Sequence, residues 1–331
     1  MARYVIHRGL RSIPQLLLVS VVAFVIIELP AGDFVSLYFA RLRRSGMELS
    51  EEVEQRFRVQ WGLDRPLPVR YLVWLRNVVL RANFGYSFLY MRPVAEVILD
   101  RMPLTFALAF SSLLFTWAVG IPIGVLAAVR QYSLADYALT TLSYIGMSVP
   151  PFLLALILLY VLRVKLGIKV GGLYSNEFAV QPWTWRKGVD LVKHLWLPIV
   201  LVSMMGLPGT IRTLRATMLD EMHKPYVTTA RAKGLSERAV VVRYLMRLAI
   251  SPIVSDFNRL LPWLFSGSLL VAVVLSLPTA GLTFLTGLFM QDLYLVGTYV
   301  LITGALTSIG SLLSDILLAT LDPRIRLGVR F

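Results

Sequence analysis

The sequence of 331 residues contains no cysteine and only three histidines, His7, His194 and His223. The absence of cysteine excludes disulfide bridges and thiolate chemistry. The histidines are scattered, and none belongs to a His-Glu-x-x-His motif. The chain also lacks the Gly-x-x-x-x-Gly-Lys-Ser/Thr loop that cradles nucleotide phosphates. We therefore expect no catalytic residue, no metal site and no cofactor bound by this chain itself.

Two long stretches lack charge altogether. Leu104–Val129 has no charged residue over 26 positions and Ala138–Leu162 has none over 25, and hydrophobic residues make up 57% of the chain. Globular domains use about 45–50% apolar residues, and about 20 consecutive apolar residues cross the bilayer core as a helix. The composition therefore predicts an integral membrane protein.

We predict an all-α fold, with six transmembrane helices and a small helical extracytoplasmic insertion after the first of them. The predicted spans are Ile13–Leu29, Leu104–Val129, Ala138–Leu162, Leu195–Ile211, Leu248–Leu277 and Leu293–Leu321. The corresponding division of the chain is a cytoplasmic N-terminus and first span (1–30), an extracytoplasmic helical segment (31–102), a five-helix transmembrane core (103–321) with a cytoplasmic loop (212–247), and a cytoplasmic tail (322–331).

Acidic residues are scarce, since 33 Lys and Arg stand against 19 Asp and Glu and give a net charge of +14. In a membrane protein, basic residues mark loops that face the cytoplasm and anionic lipid. We therefore expect membrane lipid, and not nucleic acid, as the partner of this charge. Eight of the basic residues lie in the loop 212–247, and their density predicts that both termini are cytoplasmic.

The predicted insertion contains two helical patterns. Glu48–Phe57 predicts a helix with Ser50 as its N-cap, Leu63–Pro68 predicts a proline-rich turn, and Val69–Leu80 has apolar residues at helical spacing. A small helical cap that only packs on the membrane helices accounts for this pattern. A cap that also docks a soluble partner accounts for it equally well.

Glycine and proline recur inside the predicted spans. Each proline frees a carbonyl that needs another partner, so these residues predict bends that let a pathway open and close. Ordinary helix packing is the alternative, because both residues are common in membrane helices. The residues concerned are Gly120, Pro122, Gly124, Pro150, Pro151, Pro198, Pro208, Pro252 and Pro262.

Three polar residues, Asp256, Asn258 and Arg259, lie within the predicted fifth span. Charges inside a membrane are costly and usually face a partner or a wet cavity. In one interpretation Asp256 and Arg259 form an i, i+3 pair that only stabilises the bundle. In the other, the three residues line a translocation pathway and contact a polar cargo.

A short polar helix is predicted between the fourth and fifth spans. Pro225 suits the first helical position, Gly234 suits the left-handed residue that ends a helix, and Ser236 suits the N-cap of the next helix. The two turns from Tyr226 to Lys233 are marginal alone in water. They need a surface to dock on, which is anionic lipid, neighbouring loops of the chain, or a groove in a cytoplasmic partner.

The residues of this helix also carry a motif. They resemble the segment Asp-Tyr-Val-x-Thr-Ala-x-Ala-Lys-Gly-Leu of permease subunits in the oligopeptide/dipeptide/nickel branch of binding-protein-dependent ABC importers. Pro225 replaces the Asp, and the matching residues are Tyr226, Val227, Thr229, Ala230, Ala232, Lys233, Gly234 and Leu235. Similar segments extend over nearly the whole chain: Leu63–Tyr71, Asn83–Ser87, Gly120–Gly124, Ser148–Phe152, His194–Pro198 and Leu321–Arg326.

The resemblance implies a permease subunit in the cytoplasmic (inner) membrane of a prokaryote. It implies four partners: a second homologous permease, two ATP-binding cassette subunits that bind ATP and Mg²⁺, and an extracytoplasmic solute-binding protein. It also implies that the short helix is a coupling helix seated in a groove of one ATPase. The implied coupling residues are Tyr226, Val227, Thr229, Ala230, Arg231, Ala232, Lys233, Gly234 and Leu235.

A coupling helix must transmit several kcal/mol, since inverting a 1:99 equilibrium takes about 5.5 kcal/mol and one surface ion pair gives about 0–1 kcal/mol. We therefore expect apolar contacts with the ATPase, with the basic residues setting the orientation. Ala230→Glu or Gly234→Pro should then abolish transport without preventing insertion. The expected apolar contacts are Tyr226, Val227, Ala230 and Leu235, and the basic residues are Arg231, Lys233 and Arg238.

The cargo implied by the resemblance is an oligopeptide or dipeptide, with oligosaccharide or nickel as alternatives. The segment Val273–Gly281 departs from the Glu-Thr-Val-Phe-x-x-Pro-Gly-Leu-Gly of the branch, which leaves the cargo open. A secondary transporter is the alternative of a different class. Such transporters often contain inverted repeats and ionisable residues near the midplane, and the sequence shows no internal repeat.

Overall fold

A computed structural model describes residues 2–28, 36, 39–40, 42–43, 50–60, 63–168, 170–175, 177–178, 181–255 and 268–321. Nearly all regular structure there is helical. The α-helices are α1 (Ala2–Glu28), α2 (Glu51–Gln60), α3 (Leu67–Arg81), α4 (Val94–Val129), α5 (Leu134–Ser148), α6 (Pro151–Tyr160), α7 (Trp185–Met222), α8 (Pro225–Ala232), α9 (Glu237–Val240), α10 (Met246–Ala249), α11 (Ser251–Ser255), α12 (Ala280–Phe289) and α13 (Leu293–Leu321). Two π-helical turns (Val161–Lys165 and Val241–Leu245) and two short strands, β1 (Tyr86–Ser87) and β2 (Arg92–Pro93), are also present, and residues 268–274 are helical.

Four helices among the described residues are long and apolar enough to cross a membrane. These helices overlap the first, second, fourth and sixth predicted spans, and Leu29 of the first lies outside the described residues. The predicted fifth span, Leu248–Leu277, includes residues 256–267, which lie outside the described part of the chain. The four membrane-spanning segments are Gly9–Glu28, Val94–Val129, Trp185–Met222 and Leu293–Thr320.

The predicted third span is not one straight helix. α5 ends at Ser148 and α6 begins at Pro151, and the two are bent by 91°. Pro150 pushes Val149 into the extended region (φ −94°, ψ 121°), and neither Pro150 nor Pro151 can donate a helical hydrogen bond. The prediction of a bend is thus confirmed at this proline pair. The two helices together are long and apolar enough to form one bent span, so the predicted span Ala138–Leu162 stays a prediction.

Pro252 follows a second break, because α10 ends at Ala249 and α11 begins at Ser251, and Pro262 lies outside the described residues. Three other prolines do not interrupt their helices. Pro198 and Pro208 lie inside α7, and Pro122 lies inside α4. Gly120 and Gly124 lie where α4 packs on α7, and a Cβ on either would lie 3.1 Å from the nearest atoms of α7. Two glycines four residues apart let membrane helices approach closely. At these positions the packing interpretation accounts for the structure.

The chain divides into two compact units, each built from separate stretches of sequence. One unit contains residues 1–8, 104–278 and 309–331, and its central core joins α4, α6 and α7 through residues such as Leu113, Ala155 and Leu201. The other contains residues 9–103 and 279–308. There the end of α1, with Phe24, packs on α3 and on the start of α13.

The predicted extracytoplasmic insertion contributes α2, α3 and the hairpin to the second unit. Ser50 accepts a hydrogen bond from the backbone N–H of Glu52 at 3.2 Å, as expected at a helix start, and α3 follows the predicted turn. The hairpin is an addition to the all-α prediction. Its Ser87 hydroxyl and the Leu89 N–H both donate to the buried carboxylate of Asp292, at 2.6 and 3.1 Å.

Gly297 fixes the contact between α1 and α13. A Cβ at this position would clash with the Ile27 side chain and would lie 2.9 Å from the Ala23 carbonyl oxygen, which is rigid backbone. We expect Gly297→Ala to lower the stability of the purified protein by about 1–3 kcal/mol, the usual cost of overpacking. Thermal unfolding in detergent measures it. Gly209→Ala is the matched control, because its Cβ meets nothing within 4 Å, and equal melting points for the two variants would contradict this packing.

Candidate functional site

The short helix α8 forms where the local sequence predicts it. α7 continues 11 residues, or about 16 Å, beyond the predicted end of the fourth span at Ile211 and stops at Met222. Lys224 adopts the extended conformation and Pro225 occupies the first helical position, where its missing N–H costs no hydrogen bond. The Thr229 hydroxyl donates back to the Pro225 carbonyl at 2.9 Å. The predicted N-terminus of this helix is confirmed.

The end of α8 is a Schellman motif. The Gly234 N–H donates to the Arg231 carbonyl at 2.9 Å and the Leu235 N–H to the Ala230 carbonyl at 3.4 Å. Gly234 takes a left-handed φ of +79°, which a side chain would disfavour. Ser236 then caps the next helix by accepting from the Ala239 N–H at 3.4 Å. The predicted order of helix, stop and helix is confirmed.

One face of α8 is buried in the hydrophobic core of this chain. Val227 and Ala230 are 0% and 3% exposed and pack with Leu214 and Met218 of α7 and with Leu245. Full burial of a valine side chain contributes about 1.5–3 kcal/mol, enough to hold a helix that is marginal alone. Of the three docking surfaces considered for this helix, neighbouring segments of the chain therefore provide one.

This burial corrects the expected contact surface. Val227 and Ala230 face the core, so they are not available to a partner, and Tyr226 and Leu235 are half-buried beside them. Ala230→Glu would place a carboxylate in the core, and Gly234→Pro would force φ away from +79°. Both variants would therefore damage the fold as well as any coupling. The exposed residues of the segment are Thr228, Thr229, Arg231, Ala232, Lys233 and Gly234.

Glu221 anchors the start of α8. It accepts a hydrogen bond from the Tyr226 hydroxyl at 2.6 Å and pairs with the Lys224 ammonium group at 2.5 Å. Burial of the ring, together with the neighbouring carboxylate of Glu221, raises the pKa of Tyr226 well above its ordinary value. The phenol therefore stays protonated and remains a hydrogen-bond donor across the physiological pH range. Sequence inspection did not identify Glu221.

At the other end of α8, Arg231 spans the turn to Glu237. Its guanidinium group makes two hydrogen bonds to the carboxylate, at 2.8 and 3.2 Å. Both side chains are exposed, so we assign the pair no more than about 1 kcal/mol. The effect of this pair is to orient Arg231, while the neighbouring Lys233 remains a second exposed positive charge. The outward surface of the segment is thus polar and basic.

The segment after α8 returns to α7. The π-helical turn Val241–Leu245 buries Val241 and Leu245 in the same core as Val227. The Thr217 hydroxyl on α7 donates to the Ala249 carbonyl at the end of α10, at 3.2 Å. α8 is therefore fixed on both sides, by the end of α7 before it and by residues 237–249 after it.

A buried ion pair ties this part of α7 to α5. The Arg215 guanidinium group donates to both carboxylate oxygens of Asp136, at 2.9 and 2.7 Å. Asp136 is 2% exposed and also accepts from the Tyr132 N–H and the Thr140 hydroxyl. Sequence inspection did not identify this pair. Ser133, three residues before Asp136, is typical of a helix start. This pattern predicts where α5 begins, but it does not predict that Arg215 pairs with Asp136.

Asp256, Asn258 and Arg259, the candidate pathway residues, lie outside the described residues. Their interpretation as a structural pair or as pathway lining stays a prediction. The nearest described part is α11, whose carbonyls at Val254 and Ser255 accept from the Ser314 hydroxyl on α13, at 2.8 and 3.2 Å. This contact fixes the chain immediately before the three polar residues.

Comparison with known proteins places the chain in a family. A family model described as the inner membrane component of binding-protein-dependent transport systems matches residues 120–327, and a model of the N-terminal part of such components matches residues 1–109. The oligopeptide transport system permease protein AppB of Bacillus subtilis is 35% identical, over 98% of this chain and 99% of that protein. OppB of Haemophilus influenzae, which carries the same description, is 27% identical over 98% of this chain and 100% of that protein.

The fold is also similar to a solved structure. An inward-facing structure of the MetNI methionine ABC transporter aligns with a TM-score of 0.52 and 18% identity, over 68% of this chain and 96% of that chain. At this identity the likeness concerns the fold alone. The family models over residues 1–109 and 120–327 and the 35% identity to AppB show that this chain belongs to the family of binding-protein-dependent transport system inner membrane components.

Proposed function

We propose that this chain is one of two permease subunits of an ATP-driven importer whose cargo is a peptide. A second homologous permease completes the pathway, and a solute-binding protein delivers cargo on the extracytoplasmic side. Two ATP-binding cassette subunits bind ATP and Mg²⁺ on the cytoplasmic side. Both termini and the loop that carries α8 are cytoplasmic, in agreement with the eight basic residues in 212–247.

One observation carries this proposal: α8 has one face in the core and an exposed polar face that nothing in the described chain covers. Motion of a partner against the exposed Thr229, Arg231 or Ala232 would be transmitted through Val227 and Ala230 to α7. The movement of the partner reaches α7 because the closely packed side chains between α8 and α7 cannot move independently of each other. In this assignment, the exposed face binds an ATPase subunit and the buried face moves the pathway helices.

The relatives supply the cargo class. AppB and OppB are described as oligopeptide transport permeases, and this chain aligns with nearly their full length. Oligosaccharide and nickel are the alternatives that the departure at Val273–Gly281 leaves open. In this assignment, the binding of ATP by the partner subunits drives the movement of cargo, and this chain contributes no catalytic group.

Transport by reconstituted vesicles tests the proposal. The chain is co-expressed with its candidate partner subunits, inserted into liposomes, and supplied with ATP and a labelled oligopeptide on the solute-binding protein. We expect peptide uptake that needs every component, and little uptake of oligosaccharide or nickel. Uptake by this chain alone, without ATPase subunits, would instead identify a secondary transporter and overturn the proposal.

A further inference from the structure

Helix α3 (Leu67–Arg81) has large apolar side chains on both its buried and its exposed faces. Five large apolar residues on its outer face are between 40 and 72% exposed, and most of them recur at helical spacing. A surface of this kind on a soluble helix is normally covered. Residues 65–82 contain no acidic side chain and four arginines. The outward apolar residues are Val69, Leu72, Val73, Val79 and Leu80.

The inner face of α3 packs against the end of a membrane-spanning helix in the same unit. The Tyr71 hydroxyl lies 2.8 Å from the Ser20 hydroxyl of α1. The Trp74 and Tyr71 rings lie 5.7 and 5.5 Å from the ring of Phe24. Arg70 pairs with Glu28 at 2.6 Å. The contacts therefore extend from the last residue of α1 to two turns before its end.

These contacts fix the depth of α3. Residues 12–27 of α1 carry no charge and Glu28 is the first charged residue at this end, so the hydrocarbon boundary lies near Glu28. Phe24 lies four residues before Glu28, or about 6 Å inside the boundary. Because Tyr71 and Trp74 both contact Phe24, this part of α3 lies at about the same level. Amphipathic helices at a membrane surface sit about 5–10 Å into the boundary between headgroups and acyl chains.

We propose that α3 is an interfacial helix whose outward face lies in the lipid of the extracytoplasmic leaflet. Val69, Leu72 and Leu80 contact acyl chains close to the headgroups. Arg76 lies in the middle of this face and, within the described chain, has no acidic partner. Its long side chain reaches outward to a lipid phosphate while its methylene groups stay among the acyl chains. The occupant of this surface is thus phospholipid and not a protein.

Single-cysteine labelling tests the proposal, because this chain has no native cysteine and each label is unique within it. The chain is labelled before assembly with its partner subunits. Leu72→Cys and Leu80→Cys carry an environment-sensitive fluorophore, in the complete transporter reconstituted in lipid nanodiscs. Leu18→Cys, on the exposed side of α1, is the control for the bilayer interior, and Gln55→Cys on α2 is the control for a position outside it. Quenching is measured with phospholipids that carry a nitroxide either near the headgroup or at the chain end, and with aqueous iodide.

We expect the probes at 72 and 80 to lose most of their emission to the nitroxide near the headgroup. The probe at 18 should respond more strongly to the nitroxide at the chain end, and the probe at 55 only to iodide. Probes at 72 and 80 that are shielded from both iodide and nitroxide lipids would show that a protein partner covers the face. Quenching of both by iodide alone would show that the face is in water, and either result overturns the proposal.

Discussion

Asp136→Ala is expected to lower the stability of the protein by about 3 kcal/mol, within the range for breaking a buried ion pair. The substitution leaves the Arg215 guanidinium group with no carboxylate at 2.7 and 2.9 Å, and it also removes the acceptor for the Tyr132 N–H and the Thr140 hydroxyl. We choose the lower end of the range because about a quarter of the Arg215 side chain is exposed. Thermal unfolding of the purified protein in detergent measures the loss.

Two further variants separate the buried pair from a general effect of charge. Glu237→Ala removes the carboxylate of the Arg231–Glu237 pair, which has the same two-bond geometry but is exposed. It should change stability by less than about 1 kcal/mol. Asp136→Ala combined with Arg215→Met should recover much of the loss, because no unpaired charge remains. Equal losses for Asp136→Ala and Glu237→Ala would show that burial does not matter here.

Features fixed by adjacent residues were predictable from the sequence. Pro225, Gly234 and Ser236 each determine a local backbone state, so the boundaries of α8 followed from three residues. The bend at Pro150 and Pro151 has the same local origin, and the predicted span Ala138–Leu162 includes both prolines. The long apolar runs likewise predicted α4 and α13, because length and hydropathy need no knowledge of partners.

Features that depend on distant residues were not predictable. Val227 and Ala230 are three residues apart and share one helix face, but helical spacing does not tell whether that face meets a partner or the chain itself. The Asp136–Arg215 pair joins positions 79 residues apart, and neither position has a sequence signal for the other. The two compact units are each assembled from separate stretches, so a division drawn along the chain could not anticipate them.

A substitution on the exposed face of α8 should reduce transport without changing stability, because only the opposite face is buried in the core. Ala232→Trp places a large ring on the exposed face, where surface substitutions change stability by about 0.5 kcal/mol or less. We expect its melting point to stay unchanged while ATP-driven uptake in vesicles falls at least about tenfold, the equivalent of about 1.4 kcal/mol of lost coupling. The reason is steric, since a partner that closes on Thr229 and Ala232 cannot accommodate the indole ring.

Ala230→Trp is the matched control, because it places the same side chain on the same helix but in the core. Overpacking beside Leu214 and Met218 should lower the free energy of unfolding by about 3 kcal/mol. This loss should appear as a lower melting point of the purified protein, independently of any transport measurement. Ala232→Ser, which adds one small polar atom to the outer face, should transport normally. If Ala232→Trp retains full uptake, the exposed face of α8 does not receive the ATPase. In that case the energy for transport enters the chain through another cytoplasmic surface, and the assignment of residues 226–235 to coupling fails.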